Sequence, residues 1–123
     1  MDFPLEIEHW EDVDGTCPIQ DFLLSLPQKH QVWIAKKDAF FERMTFGQLL
    51  GTQYLQQVRG TKTPLLELRY AGSRAMNYRM LCIVWKRVLV GVVIFQGSGG
   101  GGKLNKHLKK ALLLANDWKR RNP

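Results

Sequence analysis

Apolar and polar positions repeat with different periods along the chain, and each change of period marks an element. Over 5–10, Leu5, Ile7 and His9 alternate with Glu6, Glu8 and Trp10, which predicts a short strand at a sheet edge. The acidic run over 11–15 reads as a turn. Residues 17–26 then form a short helix, with Thr16 as cap, Pro18 in the first turn and Asp21 near the positive end, and Pro27 stops it. A longer helix is expected over 28–50. There Val32, Trp33, Ala35, Ala39, Phe40, Met44 and Phe46 gather on one broad side at a period of 3.6, with Lys36 and Arg43 at its border. The segment 53–63, containing Arg59, Gly60 and Lys62, reads as a loop.

From residue 65 the period falls to two. Strands are expected over 65–70, 78–85 and 87–95, joined by turns at Ala71-Gly72-Ser73-Arg74 and Lys86-Arg87, which makes them antiparallel neighbours. The helical period returns over 103–121. Leu104, Leu108, Ala111, Leu112, Ala115 and Trp118 make an apolar stripe there, opposite Lys106, Lys109, Lys110, Arg120 and Arg121. The expected order is β-α-α-β-β-β-α, a small antiparallel sheet packed against two N-terminal helices and closed by a C-terminal one, in the α+β class. The 123 residues suffice for one core, so a single domain spanning 1–123 is expected.

Composition adds a partner to this picture. Hydrophobic residues at 45% and charged residues at 24% are ordinary for a folded domain, but the net charge of +7 points to a polyanion, of which nucleic acid is the commonest. The charge is polarised: every charged residue before Pro27 is acidic, whereas from Lys103 onward seven basic residues stand against Asp117 alone. Cys17 and Cys82 have no paired spacing, and His9, His30 and His107 fall in separate elements, so neither a disulfide scaffold nor a metal or other cofactor is expected. The apolar stretch over 80–95 is interrupted by Lys86-Arg87, which argues against a membrane span. The acidic, proline-containing start is unlike a targeting segment, and a cytoplasmic location is expected.

Candidate chemistry lies in arginines on strands. Alternation puts Leu66 and Leu68 on one face and Glu67 with Arg69 on the other, and Arg79 leaves the face shared by Tyr78, Met80 and Cys82. If the two strands pair, Arg69 and Arg79 project from one side. Guanidinium groups on rigid strands suit bidentate phosphate binding. The same three residues also suit an ion-pair network on a solvated face, and the sequence leaves both readings open.

The pattern Leu66-Glu67-Leu68-Arg69, then Tyr78-Arg79, then an apolar hairpin ending in Phe95 and a helix carrying Ala111, resembles the RelE/ParE toxin superfamily. It is most similar to the phage-derived, HigB-like branch. The resemblance implies a type II toxin, a ribosome-dependent, metal-independent mRNA endoribonuclease, with a cognate helix-turn-helix antitoxin encoded in the adjacent gene. Its alternatives are a non-catalytic RNA- or ribosome-binding module of the same fold, or a ParE-like gyrase inhibitor. It also implies that Arg69 and Arg79 grip the scissile phosphate, that Glu67 is a candidate base, and that Lys103, Lys106, His107 and Lys110 contact RNA. The chain departs from the family after the last strand, where lysines are usual and a glycine tract over 97–102 stands instead. Lys103 and His107 are the nearest groups that could replace the missing charge.

Overall fold

The computed structural model describes residues 2–97 and 101–123, with side chains described from residue 104 onward in the second segment. Residues Ser98, Gly99 and Gly100 of the glycine tract and the Lys103 side chain therefore lie outside the described residues. The elements are β1 (Ile7–His9), α1 (Pro18–Leu24), α2 (Gln28–Phe41), α3 (Phe46–Leu49), β2 (Leu55–Gln57), β3 (Leu66–Ala71), β4 (Asn77–Trp85), β5 (Val88–Gln96) and α4 (Gly101–Arg121). The class is α+β, but the order is β-α-α-α-β-β-β-β-α rather than the expected one. The five-stranded sheet runs β1-β5-β4-β3-β2, and it is mixed rather than antiparallel throughout, because β1 pairs parallel to β5.

Local chemistry explains these differences. The expected helix over 28–50 breaks after Phe41 because Thr45 caps a new start. Its hydroxyl accepts from the Gln48 amide at 3.2 Å, and the Gln48 side chain accepts from the Thr45 amide at 2.9 Å. Asp2 braces the same corner by accepting from the Gly47 amide at 2.6 Å. Strand β2 arises inside the expected loop because Leu55, fully buried, sits opposite Leu68. Helix α1 takes Cys17 rather than Thr16 as its N-terminal cap, and Pro27 precedes the first turn of α2.

The buried face of α2 also differs from the expected stripe. Ile34 and Phe41 are buried, whereas Val32 is 48% exposed, Phe40 is 37% exposed, and Ala35 and Ala39 face solvent. At a period of 3.6, His30 and Asp38 share the side of Ile34 and Phe41. Polar residues there disguise the stripe, and the sheet satisfies both. The Tyr70 hydroxyl donates to Asp38 Oδ1 at 2.6 Å, and the Tyr78 hydroxyl lies 2.6 Å from His30 Nδ1. Tyr70 and Tyr78 are direct partners across β3 and β4, so one cross-strand pair seats the helix through two hydrogen bonds.

The sheet separates two cores. Helices α1 to α3 cover Leu66, Leu68, Tyr70, Tyr78, Met80, Cys82 and Leu89 on one face. On the other, Ala111 and Ala115 of α4 are fully buried over Leu81, Ile83, Val90, Val93 and Phe95. A register shift between Leu81 and Cys82 leaves Val92 as an extra residue, so that Val92 and Val93 both join the α4 core. The far end of α4 is tied down: Trp10 Nε1 donates to Asp117 at 3.0 Å, and Trp85 Nε1 donates to the Asn122 carbonyl at 2.6 Å. At the β4–β5 turn, Lys86 and Arg87 both take positive φ (53° and 65°), the conformation a two-residue hairpin requires. Among the described residues, no helix is long and apolar enough to cross a membrane.

Candidate functional site

The pairing of β3 with β4 decides where the charges go. Arg69 stands directly opposite Arg79, Glu67 stands opposite Leu81, and Gln56 of β2 stands opposite Glu67. All of these side chains point to the α4 side, as alternation required. Like charges directly opposite each other destabilise a sheet, and Glu67 resolves the conflict. Its Oε1 accepts from Arg69 Nε at 2.6 Å and lies 3.3 Å from Arg79 Nη1. Glu67 is only 5% exposed, while the Arg79 and Arg69 side chains are 17% and 33% exposed. The ion-pair network and the paired arginines are thus one structure.

That network does not use all of the donors. Arg79 Nε is buried and has no hydrogen-bond partner among the described residues, and each guanidinium retains N–H groups beyond those facing Glu67. A cleft of about 270 Å³ opens over them, lined by Arg59, Arg69, Arg79, Glu67, Gln56, Gln57, Val58 and Leu104. Arg59 and the two glutamines are not legible as site residues in the sequence, where 53–63 reads as loop rather than as a strand over Leu55–Gln57. Three guanidinium groups against one carboxylate leave the cleft positive. Its donors and dimensions suit a phosphate group, held by fork-shaped donors from a rigid floor.

Helix α4 roofs one side. Leu104 reaches the cleft itself, and the His107 ring stacks on Phe95, with centroids 4.2 Å apart and planes 5° from parallel. Phe95 is the β5 partner of Arg79, which sets the imidazole beside the arginine row. Burial lowers the His107 pKa, and the charges of Lys106 and Lys110 lower it further, so the ring is neutral at neutral pH. Lys106 is exposed on the outer face of α4. Lys110 lines a separate hollow with Pro18, Phe22 and Ile94. Of the residues singled out in the sequence, Glu67, Arg69 and Arg79 are therefore brought together, with His107 adjoining through Phe95 and Lys106 and Lys110 standing apart.

No protein-family model matches the chain, and no curated protein or solved structure is significantly similar to it.

Proposed function

We propose that this protein is a toxin of the RelE/HigB kind, with a RelE-like fold. It cleaves mRNA on the ribosome and is held in check by a cognate antitoxin. The observation that carries this reading is the arginine pair, Arg69 opposite Arg79 on the floor of a positive cleft. In such a cleavage the ribose 2′-oxygen attacks the adjacent phosphorus, a new O–P bond forms, and the bond to the 5′-oxygen breaks, that oxygen keeping the bonding pair and taking a proton from water. The two guanidiniums stabilise the charge that accumulates on the phosphoryl oxygens, and the rigid strands keep them aimed there. Glu67 serves as a positioning residue, because its carboxylate is engaged by both arginines. His107, neutral and beside the arginine row, is the better group to take the 2′-OH proton.

The test is induced expression in a bacterium, with mRNA 5′ ends mapped and growth followed. New 5′ ends within translated messages are expected with the parent protein. Arg79→Ala should fold normally and lose the activity, since one positioned charge is worth about 2–4 kcal/mol of barrier, or about a hundredfold or more in rate. Growth arrest with intact messages would rule out cleavage and favour action on another target such as gyrase. A second reading, RNA binding without cleavage, is favoured by the closeness of Glu67 to both guanidiniums; messages bound but uncut would select it.

A further inference from the structure

The face of the sheet opposite the arginine cleft carries a feature that the ribonuclease reading does not use. Between α2 and the β3–β4 hairpin lies an open groove of about 490 Å³, lined by Gln28, Lys29, Val32, Trp33, Lys36 and Met76. Its apolar surface on α2 comes from Val32, which is turned away from the core, and from Trp33, at the core's margin. Val32 is half exposed, Trp33 is half-buried, and Met76 of the hairpin supplies a thioether opposite them. The wall is preformed, because Trp33 rests on Gly72, where a Cβ would stand 2.7 Å from the indole. Lys29 and Lys36 flank the groove, both exposed, and among the described residues neither forms an ion pair.

We infer that this groove docks a partner-protein segment in which acidic side chains flank large apolar ones. Aliphatic and thioether surface is matched by aliphatic side chains, and the two free ammonium groups are matched by carboxylates. A nucleic acid fits less well. Bases need open aromatic faces to stack on, and Trp33, the aromatic residue in the groove's lining, already has the Lys37 ammonium 5.7 Å from its ring centroid. The groove and the arginine cleft lie on opposite faces of the sheet, so an occupant of one leaves the other open.

The experiment is an amide-resolved NMR titration of the isotope-labelled full chain with a short synthetic peptide carrying leucines at helical spacing flanked by glutamates. Saturable shifts confined to α2 and the β3–β4 hairpin are expected. Lys29→Glu combined with Lys36→Glu, two exposed positions that leave the core intact, should weaken binding about tenfold. The same peptide with lysine in place of glutamate should recover binding to that variant. Arg79→Ala, on the other face, should bind the original peptide as the parent does, which separates this inference from the fate of the ribonuclease reading. Absence of shifts, shifts centred on the arginine cleft, or unchanged affinity in the double variant would overturn it. So would an oligouridylate that perturbs the same amides more strongly than the peptide.

Discussion

Asp38→Asn is expected to make the protein more stable at neutral pH, and the gain should vanish in acid. Asp38 sits on the buried side of α2 and accepts a hydrogen bond from Tyr70 at 2.6 Å. Burial pushes its pKa up from the ordinary 3.8 to about 6; the Tyr70 hydrogen bond opposes the rise and the charge of Glu42 adds to it. The folded protein thus holds this proton more tightly than the unfolded chain does. The corresponding stabilisation is complete below about pH 3.8 and is lost as pH rises through about 6. At about 1.4 kcal/mol per tenfold change in proton affinity, that interval corresponds to about 3 kcal/mol. Asparagine keeps the shape and the acceptor oxygen for Tyr70 but has no charge to bury, so the variant should escape this loss. Urea unfolding followed by circular dichroism at a series of pH values from 4 to 8 measures it. Other groups titrate in the same range, but they are common to both proteins, so the difference between variant and parent isolates Asp38. A difference that stays flat across the range, or a variant less stable than the parent at pH 7.5, would refute the reasoning.

Two further substitutions address the cleft and the sheet. Glu67→Gln removes the carboxylate that keeps Arg69 and Arg79 compatible, and unfolding experiments should show a loss of about 1–3 kcal/mol. The same variant should bind a short RNA more tightly at low salt, measured by fluorescence anisotropy, because the cleft gains positive charge; weaker binding would mean that correct arginine placement outweighs net charge. Gly91→Ala places a Cβ 2.4 Å from Met80 Sδ, in a fully buried setting. Overpacking of that kind should lower stability by about 1–3 kcal/mol, seen as a reduced denaturant midpoint with an unchanged slope.

Parts of this design are legible in the sequence, and the illegible parts have physical reasons. Alternation in Leu66-Glu67-Leu68-Arg69 and around Tyr78-Arg79 assigns the arginines to one face, since a period of two leaves no freedom. Their direct opposition is different: it depends on Ala71 pairing with Asn77 across the hairpin, a register that the turn residues alone do not specify. The true α2 stripe is illegible because His30 and Asp38 occupy core-facing positions that only Tyr78 and Tyr70, distant in sequence, make tolerable. Strand β2 and helix α3 are too short to establish a period, and they exist through Leu55 against Leu68 and through the Thr45–Gln48 cap. The parallel seat of β1 on β5 is a long-range choice, one that the Leu5–Trp10 alternation is compatible with but cannot select. Arg59 gained its place in the cleft only through that unforeseen β2.

The two layers of the molecule share the same strands, and that sets a limit on how they influence each other. Tyr70 follows Arg69 and Tyr78 precedes Arg79, so each strand turns one side chain to α2 and its neighbour to the cleft. Within the cleft, the arginine side chains are fixed by Glu67, which among the described residues makes no hydrogen bond to α2. A change in how α2 is seated can reach the guanidiniums through the backbone of residues 69–70 and 78–79, or through Tyr54, which packs on Phe40 and Phe41 and whose carbonyl accepts from the Arg69 amide at 2.7 Å, and the paired strands hold both routes rigid. Asp38→Asn should therefore shift stability while leaving the RNA affinity of the cleft unchanged. Occupancy of the α2 groove should leave it unchanged as well. An affinity change in either case, measured against Glu67→Gln as the positive control, would show that the sheet transmits movement from one face to the other and does not merely divide them.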